Sequence, residues 1–174
     1  RATRSRAAAR SIGAPLSEVA PRLIPAKAST GVPAITMEDL ATLRAGLGST
    51  SGANYGSWVQ SGNWVAYALR RPMMDVPGGR MIYSTGSSHV LGAAIATATG
   101  KSLLALARER LGGPLGIEVP AWRRDPQGFY FGGNEMTLTP RAMLRLAVML
   151  RDKGRFGATQ VIAPDWVAAS LTPR

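Results

Sequence analysis

The sequence contains no cysteine and a single histidine, His89. Without cysteine, the chain has no disulfide framework, no thiolate nucleophile and no cysteine metal site. One histidine excludes a histidine-rich zinc cluster, and any Ser-His-Asp triad would depend on that residue alone. We therefore expect no metal and no cofactor. Because His89 lies among small and apolar residues, we expect it to have a structural role.

Acidic residues are scarce, with 10 against 21 basic ones, and the formal net charge is +11. Such a charge can indicate a nucleic acid or an anionic surface as partner. Four arginines lie within residues 1–10, however, and the others are scattered and interleaved with acids. Because there is no basic stripe and no nucleic-acid motif, the sequence does not favour nucleic-acid binding, except as a hypothesis for the basic tail.

Long apolar runs are also missing. No window approaches 18 uninterrupted apolar residues, so we expect no transmembrane segment. The basic start is not followed by the apolar stretch of a signal peptide. We interpret residues 1–13 as a disordered or out-of-frame tail and residues 14–174 as one partial domain.

Hydrophobic residues make up 45% of the chain, which is enough for a packed core. Capping residues, apolar spacing and terminating Gly or Pro predict helices at 36–45, 63–70, 87–99, 103–111 and 140–153 and from Pro164 onward. The spacing also predicts that Met143, Leu146, Ala147 and Leu150 form the buried side of the helix at 140–153. Short strands are predicted at 129–131 and 135–138, as a hairpin around Gly132-Gly133-Asn134, and at 161–162. This mixture is helix-rich α+β.

The most informative stretch runs from Pro77 to Gly92. A Pro-Gly-Gly turn and an extended run at 81–84 lead Tyr83 to the start of an apolar helix. A second block contains Gly132-Gly133, Thr139-Pro140-Arg141 and the helix that follows them. A third, at 161–167, reads Val-Ile-Ala-Pro-Asp-Trp-Val.

These blocks resemble the serine β-lactamase, penicillin-binding-protein and class C-like esterase superfamily. The first block is similar to that family's Tyr-Ser-Asn or Tyr-Ser-Thr motif, and the others to its glycine-rich hairpin and its Ile-x-Pro-x-Trp-Val helix. The resemblance implies the helix-rich central part of a β-lactamase/transpeptidase-like fold, with most of its antiparallel sheet missing. A full-length parent in the periplasm or outside the cytoplasm is compatible with it, and location is otherwise left open.

The resemblance also implies roles for individual residues. Family members attack an acyl substrate with the serine of a Ser-x-x-Lys motif, whose lysine shares the base role with the motif tyrosine. Tyr83 matches that tyrosine, and Thr85 stands where many members have asparagine. We expect Tyr83 to be catalytic and a small acyl compound to be the substrate. The expected substrate-binding residues are Thr85, Tyr130, Gly132 and Gly133.

The chain departs from the family at its nucleophile. The residues three positions before Lys27, Lys101 and Lys153 are Ile, Ala and Leu, so no Ser-x-x-Lys is present. Lys-Thr-Gly and His-x-Gly are absent as well. Gly48-Ser49-Thr50-Ser51-Gly52 has the glycine spacing of a nucleophile elbow, but its central residue is threonine and no strand leads into it. We therefore expect an inactive fragment of a serine hydrolase, or else a noncatalytic ligand-binding or sensor domain on the same fold.

Overall fold

The computed structural model describes residues 12–173 and divides them into two compact units. The first unit runs to Leu103 and also includes Arg123–Glu135. The second comprises Leu104–Trp122 and the residues from Met136 onward. Of the tail predicted at 1–13, residues 1–11 lie outside the described residues.

The described regular elements of the first unit are all helices, joined by turns and extended segments. Its α-helices are α1 (Leu16–Val19), α2 (Met37–Ala41), α3 (Tyr55–Val59), α4 (Trp64–Leu69) and α5 (Thr85–Thr99), with 3-10 turns at Pro21–Leu23, Val32–Ala34 and Gly52–Asn54. Side-chain caps explain where two of them begin. Thr36 and Asp39 form a reciprocal capping box on α2, and the Asn63 side chain accepts a hydrogen bond from the Ala66 amide on α4. Helix α2 is shorter than predicted because Leu43 adopts a left-handed conformation, with φ of 59°.

Helix α5 forms the centre of this unit. Its first ten residues are almost all buried, while its C-terminal turns are more open to solvent. Gly100 ends the helix as predicted, with a φ of 68°. The core around α5 consists of fully buried aliphatic side chains from several elements: Leu16, Val32, Ile35, Leu40, Leu69, Val90, Ala93 and Ala94.

The second unit contains shorter elements around one amphipathic helix. They are α6 (Leu103–Ala107), a π-helical turn (Arg108–Gly112), α7 (Gly113–Leu115), α8 (Pro140–Arg151), β1 (Arg155–Phe156), β2 (Thr159–Gln160) and α9 (Pro164–Ser170). As predicted, Thr139 caps α8 and Pro140 is its first residue. Strands β1 and β2 pair antiparallel and form the one sheet found among residues 12–173. The expected fold class, helix-rich α+β with most of the antiparallel sheet missing, is thus confirmed.

The buried side of α8 differs from the prediction. Ala142 and Met149 are buried, whereas Met143, Ala147 and Leu150 are exposed. Arg145 lies between the two buried residues along the helix, and its guanidinium donates hydrogen bonds to the carbonyls of Leu115 and Gly116. These bonds turn the Ala142–Met149 side toward the rest of the unit. The apolar pattern alone could not select that side.

Two strand predictions are wrong. The expected hairpin around Gly132-Gly133-Asn134 does not form, because this backbone packs on a helix and Tyr130 makes only an isolated bridge to Arg124. Residues 161–162 are not a strand either. The amides of Val161 and Ile162 both donate to the Gly154 carbonyl, which closes the hairpin one residue after β2.

Candidate functional site

The segment at 83–85 enters α5 in an extended conformation. Ser84 has φ and ψ of −154° and 114°, and α5 begins at Thr85, two residues earlier than predicted. In extended backbone, neighbouring side chains point to opposite faces. The Tyr83 side chain is accordingly 63% exposed, while Ser84 is 2% exposed. The chain therefore presents Tyr83 to solvent beside the start of a buried helix.

A loop of hydroxyl residues at 49–51 holds the Tyr83 backbone. The Ser49 hydroxyl donates a 2.6 Å hydrogen bond to the Tyr83 carbonyl. The Ser49 hydroxyl oxygen also accepts from the Ser51 amide at 2.9 Å, and the Asn54 side-chain amide donates to the Ser49 carbonyl at 3.1 Å. Ser49 is thus held within its own loop, and its hydroxyl fixes the Tyr83 carbonyl across a separation of 34 residues in sequence.

The same loop caps the start of α5. Thr50 Oγ1 accepts from the Gly86 amide at 2.8 Å, and the Thr50 amide donates to Ser84 Oγ at 3.2 Å. Ser51 Oγ accepts from the Thr85 amide at 2.9 Å and lies 2.9 Å from Thr85 Oγ1. The first amides of a helix have no partner within it. Here the loop supplies two of those partners from a distant part of the sequence.

Gly132 and Gly133 cover the other side of this helix entrance. A Cβ on Gly132 would lie 2.6 Å from the Ser88 carbonyl oxygen, and one on Gly133 would overlap Thr85 Cγ2. Only glycine lets two backbones approach this closely. Tyr83, Thr85, Gly132 and Gly133, all predicted site residues, therefore lie around the first turns of α5.

Tyr130, the remaining predicted site residue, lies elsewhere. Its side chain is 4% exposed, its hydroxyl accepts a 2.7 Å hydrogen bond from Arg124, and the Arg124 guanidinium lies 4.3 Å from the ring centre. Tyr130 also lines an open pocket with Ala96 and Thr97, in the C-terminal turns of α5. The structure thus separates Tyr130 from the group around Thr85.

His89 is fully buried one turn into α5. The rings of Trp58, Trp64 and Phe131 surround it, with ring centres 5.4 to 5.9 Å away. Its Nε2 lies 3.0 Å from Asp125 Oδ2, and its Nδ1 accepts from the Gly132 amide at 3.3 Å. These contacts agree with the structural role expected from its neighbours in sequence.

The Asp75 carboxylate organises the turn that precedes Tyr83 in the sequence. Asp75 accepts hydrogen bonds from the amides of Arg80 (3.0 Å) and Val76 (2.8 Å) across the Pro77-Gly78-Gly79 turn. These bonds, the one from Arg80 first, hold the pKa of the Asp75 carboxyl below its usual value. The turn is followed directly by the extended run that carries Tyr83.

Sequence reasoning missed the loop at 49–51 and missed Asp125. The signal for the loop is Gly-Ser-Thr-Ser-Gly, a run of small hydroxyl residues between glycines, but its glycine spacing points only to a nucleophile elbow. In residues 12–173, no three His, Cys, Asp or Glu side chains form a group that could hold a metal ion. Nor is any single helix in this part of the chain long and apolar enough to cross a membrane.

Similar solved structures share this fold at low sequence identity. A Bacillus anthracis protein provisionally assigned as a 6-aminohexanoate-dimer hydrolase aligns with a TM-score of 0.76 and 16% identity, over 96% of this chain and 48% of that one. A penicillin-binding-protein homologue from Caulobacter crescentus gives 0.73 and 17%, over 99% and 57%. EstCE1, described as a hydrolase with promiscuous acyltransferase activity, gives 0.70 and 18%, over 94% and 59%.

The chain thus spans about half the length of the solved structures that it matches, from 48% to 59% of those three. Comparison with curated proteins gives no match. The family model described as Beta-lactamase matches residues 11–173, nearly the whole chain. The chain therefore belongs to the beta-lactamase family.

Proposed function

We propose that this chain forms a wall of the substrate cleft in a hydrolase that acts through an acyl-serine, and that Tyr83 is its acid–base residue. The observation that carries the proposal is the contrast at the entrance of α5. Tyr83 is 63% exposed, although its carbonyl is fixed by Ser49 and the next side chain, Ser84, is buried. The fixed backbone sets where the Tyr83 side chain starts, and its exposure leaves the phenol accessible to a bound acyl compound, as a proton-transfer group requires.

The chemistry follows from what acyl transfer needs. A serine hydroxyl becomes nucleophilic when a base takes its proton, and the leaving group then needs a proton back. A phenol has a free pKa of about 10, so it serves as the base when nearby cations stabilise its anion. We assign this proton shuttle to Tyr83. We assign the adjoining cleft wall to Thr85 and the backbone of Gly132 and Gly133.

The substrate class is an ester, an amide or a lactam. Support comes from the descriptions of similar solved structures, which include EstCE1 and a D-stereospecific amidohydrolase from Streptomyces. Their identities of 18% and 16% support the fold alone, so the choice within this class stays a proposal. The 174 residues contain no Ser-x-x-Lys. We therefore propose that the chain by itself does not turn over such substrates.

Turnover and covalent labelling test this division of roles. The chain and its Tyr83→Phe variant are incubated with nitrocefin and with p-nitrophenyl butyrate. A parallel sample is treated with a fluorophosphonate, and its intact mass is measured by mass spectrometry. We expect no hydrolysis above buffer and no mass increase. Turnover that disappears in Tyr83→Phe, or a fluorophosphonate adduct on a serine, would show that this chain contains the nucleophile after all.

The absence of Ser-x-x-Lys also favours a second candidate, a noncatalytic ligand-binding or sensor domain on the same fold. A fluorescent penicillin separates it from a complete enzyme. A sensor domain binds the compound reversibly, so dilution releases it from the protein. An acylated serine retains the fluorescent label through denaturing electrophoresis.

A further inference from the structure

A buried polar pair lies beneath the proposed cleft wall. The side chains of His89 and Asp125 are both fully buried, and His89 Nε2 lies 3.0 Å from Asp125 Oδ2. The other oxygen, Oδ1, accepts from the amides of Gln127 and Phe129, each at 2.9 Å. All four residues belong to the first unit. The pair therefore joins α5 to the Arg123–Glu135 segment.

The hydrogen bonds determine which ring nitrogen carries the proton. A backbone amide only donates, so His89 Nδ1, which accepts from the Gly132 amide at 3.3 Å, has no hydrogen. Nε2 must then carry the hydrogen, and its N–H donates a hydrogen bond to the Asp125 carboxylate. Asp125 then accepts from three donors, and every partner in this arrangement is satisfied.

The surroundings of the ring leave few alternatives. Trp58, Trp64 and Phe131 pack against the imidazole and keep water away from it. A buried polar group without a partner is costly, so the choice of tautomer is enforced by the partners within the cage. The ring in turn orients the Gly132 amide, and Gly132 lies directly on the backbone of Ser88 and His89.

We propose that Asp125 is a positioning residue that fixes the tautomer of His89, and that His89 thereby holds the Gly132-Gly133 backbone against the entrance of α5. The meaning of this backbone as a cleft wall rests on the proposed function; the tautomer and the contact do not. Neither residue touches substrate in this scheme. Asp125 acts through His89, and His89 acts through one backbone amide.

Asp125→Asn is the direct test. The new side chain still accepts from the amides of Gln127 and Phe129, but its NH₂ group now faces Nε2. A ring proton on Nε2 would face this NH₂ group across the 3.0 Å contact, whereas a proton on Nδ1 faces the Gly132 amide across the longer 3.3 Å contact. We therefore expect the proton to move to Nδ1 and the Gly132 amide to lose its acceptor. His89 is the sole histidine, so its ring gives one unambiguous set of ¹H–¹⁵N signals. We expect the proton on Nε2 in the unmodified chain and on Nδ1 in the variant.

The Gly132 amide supplies the second readout. We expect its hydrogen exchange to accelerate by at least about tenfold in Asp125→Asn, because its acceptor is lost. Asp152→Asn makes the same chemical change at an exposed carboxylate of the second unit and should leave both readouts unchanged. A proton on Nδ1 in the unmodified chain, or unchanged Gly132 exchange in folded Asp125→Asn, overturns the proposal.

Two further variants decide the matter if Asp125→Asn does not fold. In His89→Asn the amide oxygen takes the place of Nδ1, so Gly132 keeps an acceptor; His89→Leu removes it. We expect slow Gly132 exchange in the first and fast exchange in the second, and equal exchange in both contradicts the role of Nδ1. None of these readouts involves a substrate. They can therefore succeed while the role of Tyr83 fails, or fail while it stands.

Discussion

The two longest helices differ in how burial relates to sequence. Helix α5 is apolar nearly all round, and its first ten residues are almost entirely enclosed within the first unit. Helix α8 is clearly amphipathic, yet Met143 and Leu144 are 56% and 63% exposed. Exposed apolar side chains recur in the second unit at Trp166 (46%) and Leu171 (70%). An apolar pattern thus indicates which faces of a helix can be buried, and the elements packed around the helix determine which face is buried.

If burial determines how much a side chain stabilises each unit, the matched pair Trp58→Ala and Trp166→Ala should show the largest contrast in the free energy of unfolding. Trp58 is fully buried and donates its ring N–H to the Trp64 carbonyl, so its loss should lower the free energy of unfolding by about 3–5 kcal/mol. Trp166→Ala should cost less than about 1 kcal/mol. Urea unfolding followed by circular dichroism measures both. Equal losses would mean that the second unit is as well packed as the first.

The methionines of α8 sharpen the comparison within one helix. Met149 is 1% exposed and Met143 is 56% exposed. Met149→Ala should lower the free energy of unfolding by about 2–4 kcal/mol, because it leaves a cavity in the second unit. Met143→Ala should change it by less than about 0.5 kcal/mol, since alanine also favours the helix. The reverse order would show that the buried side of α8 is the one that the apolar spacing predicts.

Glycine replacements compare the helix entrance with an open position. Gly132→Ala should cost about 1–3 kcal/mol, because the added Cβ would lie 2.6 Å from the Ser88 carbonyl oxygen. Gly56, in α3, has nothing within 4 Å of such an atom. Gly56→Ala should instead stabilise the protein by about 0.5 kcal/mol through helix propensity. Thermal unfolding of both variants distinguishes close packing from a general intolerance of change.

The smallest expected effect concerns pH at the turn before Tyr83. Because the pKa of Asp75 is lowered in the folded state, its contribution to stability is present above the unfolded pKa of about 3.9 and is lost as pH falls through the folded pKa. The unmodified chain should therefore exceed Asp75→Asn in stability at pH 7, and the gap should shrink at pH 3. Urea unfolding at both pH values gives the gap, and a gap that widens on acidification would contradict this account.

Local signals were enough to predict much of the helical fold. The capping residues Thr36, Asn63 and Thr139 begin their helices as expected, and Gly100 ends α5. The alternation that exposes Tyr83 and buries Ser84 also follows from an extended run of backbone. These features depend on residues a few positions apart, which is the range over which sequence patterns carry physical information.

Long-range contacts explain what the sequence could not predict. The loop at 49–51 meets the α5 entrance across a separation of 34 to 36 residues, and His89 meets Asp125 across 36. No local pattern records such pairs. The glycines at 132 and 133 indicated a turn, but they serve close packing on a helix instead. Because glycine has no side chain, it is compatible with a turn and with close packing on a helix, so the sequence alone does not distinguish the two.

The claim on which the proposed function depends is that Tyr83 borders a groove for acyl compounds. Titration of the isotope-labelled chain with N-(4-nitrophenyl)butanamide, a stable amide, tests it by NMR. We predict that the signals of the Tyr83 ring, Thr85 and Gly133 shift together, with a dissociation constant of about 1 mM. Tyr83→Phe should weaken this binding, and Tyr67→Phe should not. Shifts confined to the pocket of Ala96 and Tyr130, with Tyr83 unchanged, would contradict the claim.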